Sequence, residues 1–230
     1  MTKKPLLDFV KVKLGEATAK KKGGPVITIS REFGCPGRIV ADELAKQLSK
    51  RKGSAKNIEW KAVGKEIISE AAKEVGLSPK LVESFTREKP RGVFGQFFVA
   101  FSDHYVPNDM DVKKTVANVV RALAHQGNVV IIGRGGVVLT RDIKDALHIR
   151  LYGPMEYRIK RVKEMEKVND AEARKMIDAI DRERIYLKHL LAGETTDLNL
   201  FDVAYNCEKL SVQDIVASSI RLLEQKRIIL

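Results

Sequence analysis

Two rhythms of apolar residues alternate along this chain. Continuous β-branched runs at Val26 to Ser30 and Asn128 to Ile132 predict strands covered on both faces, and Leu147 to Leu151 predicts another although His148 and Arg150 interrupt it. Shorter strands are expected at Ile58 to Trp60 and Val203 to Tyr205. Between the strands the spacing becomes helical. Val40, Leu44 and Leu48 form one stripe after Arg38; Val112, Val116, Val119, Val120 and Leu123 form a second over 111–125, closed by Gly127. Val212, Ile215, Val216, Ile220 and Leu223 form a third, opened by Ser211 with Asp214. Other punctuation predicts helices over 65–75, ended by Gly76, after Ser78-Pro79, and from Gly153-Pro154 to about Lys167. Asn169 with Glu172 opens a long charged helix to about Leu191. Strands alternating with helices imply an α/β architecture, a parallel sheet of about five strands with helices on both faces.

Composition narrows this picture. The 230 residues suffice for one α/β domain with insertions, and no apolar run approaches the ~18 residues of a membrane span. The N-terminal apolar stretch is short and broken by lysine, unlike a secretion signal, so a cytoplasmic address is expected. Two cysteines, Cys35 and Cys207, make no disulfide framework, and the histidines lie too far apart for a local metal motif; no structural metal is expected. Cys35, at a helix start, reads either as a small neutral filler or as a thiol of lowered pKa. The net charge of +12 is partly local, since residues 1–24 carry seven lysines against Asp8 and Glu16. That arm reads as a solvated tail, a packed helix with a linker, or a nucleic-acid contact. Phe94, Phe97, Phe98, Phe101 and Tyr105 fall at helical spacing, which favours a packing face over a base-stacking platform.

The densest signal is VITISREFGCPGR, residues 26–38. A strand runs into a loop with two glycines and a proline, then into a helix whose first-turn N–H groups and positive dipole end suit an anion. Against the pattern G-x-x-x-x-G-K-[ST], Glu32 stands at the first glycine, Arg38 at the lysine and Ile39 at the magnesium-binding hydroxyl. Pro36 has no N–H to give. Two readings stand on the loop alone, a phosphate cradle and a tight turn without ligand.

The segments ITISREFGCPGRIVADELAKQL, VVIIGRGG, ALHIRLYGPMEYRIKRV, IDRER, FDVAYN and KLSVQDIV, in that order, resemble the cytidylate kinase-like family of nucleoside monophosphate kinases. The resemblance covers roughly residues 25 to 225. It implies a P-loop NTPase-like three-layer sandwich with a helical acceptor-binding insertion near 62–126 and a lid near 168–200, the domain occupying 25–230 behind the arm. It also implies ATP as phosphoryl donor, and magnesium held mainly through phosphates and water because no hydroxyl stands at residue 39. In the family the loop commonly reads SREFGSGGRE, so Arg38 is a trait of the branch and Pro36 a departure of this chain. A second departure is Gly135, where the family's GRD segment carries aspartate after the arginine matched by Arg134.

Phosphoryl transfer needs positive charge and N–H donors around the migrating group more than it needs covalent chemistry. The expected catalytic residues are Arg38, Arg134, Arg182 and Arg184, the last two as lid arginines by resemblance, with Lys188 as a further matching position. Donor contacts are expected from Arg31, Glu32, Phe33, Gly34, Cys35, Gly37, Arg38 and Ile39. Arg158 and Arg161 either flank the donor base or face solvent. Acceptor contacts are expected from Lys65, Arg87, Arg91, Arg134, Gly135 and Asp181, the last either pairing with Arg184 or organising magnesium through water. The leading expectation is ATP-dependent transfer to a CMP- or dCMP-like nucleoside monophosphate or related small phosphate acceptor. The alternatives are a non-catalytic nucleotide-binding protein on the same fold and a basic nucleic-acid binder. Nucleotides are the expected partners, with no membrane.

Overall fold

The computed structural model describes residues 25–51, 59–64, 110–192 and 198–229. The arm 1–24, the helices expected over 65–75 and after Pro79, the aromatic stretch 94–105, and Lys65, Arg87 and Arg91 lie outside them.

Five strands form one parallel sheet: β1 (Val26–Arg31), β2 (Lys61–Val63), β3 (Val129–Ile132), β4 (Ala146–Tyr152) and β5 (Val203–Asn206), in the order β2-β3-β1-β4-β5. The helices are α1 (Gly37–Lys50), α2 (Met110–Gln126), α3 (Gly136–Leu139), α4 (Met155–Glu166), α5 (Asp170–Ala192) and α6 (Val212–Gln225). Alternation along the strands sorts the core into two layers. Ile27, Ile29, Val130, Ile132, Leu147, Ile149 and Leu151 face α1 and α6, meeting Val40, Leu44, Leu48, Ile215, Val216 and Leu223. Val26, Val129, Ile131 and Ala146 face the other way, against Val119, Val120 and Leu123 of α2 and Leu139 of α3. This is the α/β sandwich that the alternating rhythm predicts.

The predicted helix punctuation is realised as hydrogen bonds. Asn169 Oδ1 accepts from the Glu172 N–H (3.0 Å) while the Asn169 N–H donates to Glu172 (3.1 Å), and Ser211 and Asp214 exchange the same pair of bonds at α6. Two elements depart from expectation. The short strand spans Lys61–Val63 and leaves Trp60 outside it, because the Trp60 N–H donates to Ser49 Oγ (2.8 Å) and the ladder to β3 starts only with the Lys61 N–H on Asn128 O (3.1 Å); Ile58, where the strand is expected to begin, lies outside the described residues. The second departure is α3, buried throughout and unforeseen, whose VVL reads as strand residues until the backbone before it turns left-handed at Gly133, Arg134 and Gly135.

β1 lies between β3 and β4, so the chain leaves it first to one side and then to the other. The loops after β1, β3, β4 and β5 therefore meet at one edge of the sheet, beyond the strand C-termini, where open parallel sheets bind ligands.

Candidate functional site

Loop 32–36 is tied down by its own chain. The Cys35 N–H donates to Glu32 O (3.2 Å) and the Gly37 N–H to Cys35 O (2.8 Å), while Pro36, at φ −77° and ψ 43°, shapes a three-residue turn between them. The first bond of α1 runs from Val40 to Pro36 O (3.0 Å), and no side chain caps the helix start. Two loop amides thus point at loop carbonyls, and the anion-directed part of the turn is the N-terminus of α1 itself.

Gly34 is required at its position. Its φ of +93° suits glycine, and an added Cβ would lie 3.0 Å from both Cβ and the carbonyl oxygen of Arg158. The loop consequently sits directly on the first turns of α4. Phe33 enters the small core between α4 and α5, beside Ile159, Val162, Ala173 and Ile177, which couples the loop to the long helix.

Charges from three distant segments converge on this loop. Glu32 accepts from Arg150 Nη2 (3.1 Å) and the Gly153 N–H (3.1 Å), and lies 3.5 Å from Arg158 Nε. Arg158, 9% exposed, also donates to Gly153 O (3.0 Å) and to Asp181 Oδ2 (2.5 Å). Asp181 Oδ1 takes the Phe33 N–H (2.8 Å), with Arg184 Nη1 at 3.7 Å. Arg184 donates to Arg31 O (3.1 Å) and places its guanidinium over the Phe33 ring, 5.6 Å from the centroid. Arg161 donates to Gly34 O (2.8 Å) over the Tyr157 ring. Burial lowers the Lys188 ammonium below the usual lysine range; Arg150 lowers it further while Asp181 and Glu32 oppose the shift. Five cationic side chains, Arg150, Arg158, Arg161, Arg184 and Lys188, thus surround two carboxylates at the sheet edge.

Arg31 closes the other side. Its side chain runs along Gly37, and its Nη1 lies 2.1 Å from where a Cβ on Gly133 would be, so residue 133 must lack a side chain for the guanidinium to cross from β1 to the loop after β3. Arg134 follows at φ 54°, a conformation that costs a non-glycine residue on the order of 1 kcal/mol. Gly135 caps α3.

The other expected site residues lie as follows. Arg38 turns along α1, its Nε donating to Asp42 (2.8 Å), about half exposed; Ile39 is 56% exposed and Arg182 is exposed. Cys35 does not have the lowered thiol pKa considered for a helix start: a hydrogen bond with the Cys207 thiol and burial push it up. Arg158 does not face solvent, and Asp181 takes the pairing alternative, with Arg158 as well as Arg184. Sequence reasoning missed Arg150 and Gly153 as partners of Glu32; the one available signal is a cation alternating into the C-terminal half of an otherwise apolar strand.

Magnesium and a nucleotide polyphosphate can be weighed against these groups. Among the described residues no cluster of three or more His, Cys, Asp or Glu can hold a metal, and the Glu32 carboxylate is turned onto Arg150, Arg158 and Gly153. The cationic surplus and the α1 N-terminus suit phosphate oxygens, through which a magnesium ion would be held. Among the described residues no helix is long and apolar enough to cross a membrane.

Comparison with known proteins bears on the fold and the family. A protein of Eubacterium ventriosum described as uncharacterized is 25% identical, covers 87% of this chain and 98% of its own, and superposes with a TM-score of 0.62. The Bacillus subtilis YorR protein in complex with phosphorylated GDP is 15% identical (88% and 97% covered, TM-score 0.48). A shikimate kinase of Bacteroides thetaiotaomicron is 12% identical (87% and 96% covered, TM-score 0.47). No protein of curated function matches the sequence. The profile of the cytidylate kinase-like family matches residues 26–209, from the first residue of β1 to just past β5, and the chain belongs to that family.

Proposed function

We propose that the chain is an ATP-dependent phosphotransferase acting on a nucleoside monophosphate or a closely related phosphate acceptor. The observation that carries this reading is the gathering of Arg158, Arg161, Arg184, Arg150 and Lys188 on the loop before α1, at the C-terminal edge of the sheet. Asp181 supports it further. A carboxylate that accepts from a loop amide and a guanidinium occupies the environment a phosphate oxygen requires, so an incoming phosphoryl group competes with Asp181 for Phe33 N–H, Arg158 and Arg184. In this reading Arg184 leaves Arg31 O to meet the donor phosphates, Arg161 and Tyr157 border the donor, and Arg38 swings from Asp42 to the phosphates. Arg134 and Arg182 would meet the transferring and acceptor phosphates, with Lys65, Arg87, Arg91 and Gly135 on the acceptor side. ATP with magnesium would supply the phosphoryl group and neutralise its charge.

The test is magnesium-dependent ADP formation across a panel of nucleoside monophosphates. Arg184→Ala should lower turnover by about 10²-fold or more, as expected for loss of a group that binds developing charge, and Arg38→Ala should abolish it. A second reading, nucleotide binding without turnover, draws on the Cys35 and Gly37 amides being engaged within the loop and on Ile39 at the hydroxyl position. Tight ATP binding with no ADP from any acceptor in the panel would establish that reading and exclude the first.

A further inference from the structure

Arg31 is the last residue of β1, and alternation along the strand turns it to the face of Ile27 and Ile29, which α1 covers. Two glycines let its side chain pass. A Cβ on Gly37, the first residue of α1, would lie 3.0 Å from Arg31 Cγ and 3.2 Å from Cδ, so the Arg31 stem fills the space where a side chain at 37 would begin. A Cβ on Gly133, at φ +69°, would lie 2.1 Å from Nη1 and 3.3 Å from Cζ, so the guanidinium ends against the loop after β3. That loop is fastened to β1 by the Gly133 N–H on Ile29 O (3.0 Å). The charged end of Arg31 therefore spans the gap between the α1 N-terminus and loop 133–135. It lies over the paired ends of β1 and β3, adjacent strands whose connections leave in opposite directions, to β2 and to β4.

In the common phosphate loop a lysine in the first turn of the helix reaches the β- and γ-phosphates. Gly37 has no side chain to do so, and Arg38 reaches one turn along α1 to Asp42 (2.8 Å). We propose that Arg31 takes that part from the strand end: its guanidinium grips the donor's terminal phosphates from the sheet side and stays on the phosphoryl group as it crosses to the acceptor. The catalytic half rests on the kinase reading; the grip on polyphosphate is testable without turnover. In the transfer, an oxygen of the acceptor's dianionic phosphate forms a bond to the terminal phosphorus of ATP. The bond from that phosphorus to the bridging oxygen breaks, the electron pair leaves with ADP, and no proton moves. A planar fork with several donors can hold one oxygen on the donor side and another on the moving group, which a point charge cannot do equally well. The Arg31 carbonyl separately accepts from Arg184 Nη1 (3.1 Å), so a side-chain substitution at residue 31 leaves that bond to the long helix in place.

The experiment measures binding of inorganic tripolyphosphate to the full chain by calorimetry, with no acceptor present. Arg31→Met keeps a stem between the two glycines and should weaken binding by about 10- to 100-fold, as for a lost charge-assisted contact. Arg31→Lys, a cation without the fork, should fall between Arg31→Met and the wild type. Arg221→Met removes an equal charge from the exposed face of α6 and should stay within about twofold of wild type. Gly133→Ala pushes the guanidinium aside and should weaken binding by itself while adding little to Arg31→Met. In turnover, Arg31→Met should lower kcat by about 10²-fold with both substrates saturating. No tripolyphosphate binding by the wild type, or a loss in Arg31→Met no larger than in Arg221→Met at an unchanged urea midpoint, overturns the proposal and leaves the kinase reading to ADP formation. A weakened grip with unchanged kcat overturns its catalytic half. Arg31-dependent binding in a chain that forms no ADP upholds the grip and removes the kinase reading.

Discussion

Arg158→Met tests whether the charge network around the loop holds the fold together. Methionine keeps the apolar stem and much of the volume, so the change deletes the guanidinium while leaving little cavity. Four contacts go: the bond to Gly153 O (3.0 Å), the short ion pair to Asp181 (2.5 Å), the longer approach to Glu32 (3.5 Å) and a weak bond to Met155 Sδ (3.9 Å). A neutral hydrogen bond is worth about 1 kcal/mol and a charge-assisted one about 1.5–3 kcal/mol. The partners are not stranded, however. Glu32 keeps Arg150 and the Gly153 N–H, Asp181 keeps the Phe33 N–H and Arg184, and both carboxylates retain between a fifth and a quarter of their exposure. The expected loss is therefore about 2–3 kcal/mol, below the 3–5 of a fully buried broken pair. It should appear as a lower urea midpoint at unchanged slope. Adding Asp181→Asn removes one unbalanced carboxylate and should recover about 1 kcal/mol of the loss. A single-variant loss under about 0.5 kcal/mol, or strict additivity in the double variant, refutes the claim that Arg158 and Asp181 act as a pair.

Gly34→Ala adds left-handed strain of about 1–2 kcal/mol and a 3.0 Å contact with the Arg158 backbone, so its urea midpoint should fall and the Phe33 amide should exchange faster; an unchanged midpoint removes the case for glycine there. Ser211→Ala removes the Oγ that accepts from the Asp214 N–H and donates to Asp214 Oδ2, leaving the bond from its own N–H to that carboxylate, and should cost about 1 kcal/mol, with Ser211→Asp restoring most of it in thermal melts. His148 is buried, shares a 2.8 Å hydrogen bond with Thr28 Oγ1, and has its pKa lowered by burial, with Lys226 acting in the same direction and Asp202 opposing. A group whose folded pKa is depressed stabilises fully above its unfolded pKa of about 6.5 and loses that contribution as pH falls. His148→Gln should therefore flatten the stability profile as pH falls below about 6.5; an undiminished slope there would assign it to other groups.

Local periodicity carried most of the fold. The buried stripes of α1, α2 and α6 and the apolar runs of β1 and β3 are contiguous in sequence and each satisfies its own geometry, so they are readable without a partner. Where a segment's fate is decided elsewhere, the reading slipped. Trp60 leaves the ladder because a serine of α1 takes its amide, and α3 winds where three left-handed residues redirect an apolar run. The site divides in the same way. Its arginines were legible as residue types near strand ends and on the long helix, since phosphate chemistry calls for them there. Their partners were not. Glu32 sits where the common motif has glycine, which invites a metal-binding role, yet its donors Arg150, Gly153 and Arg158 all lie beyond residue 149 and are supplied by the fold. A charged residue near a phosphate loop therefore tells little until the opposite charges that tertiary structure brings to it are subtracted. Around this loop, that subtraction cancels the Glu32 charge against Arg150 and Arg158 and leaves a cationic surplus beside the α1 N-terminus. The surplus, more than the imperfect loop motif, is the physical reason to look for a polyphosphate here.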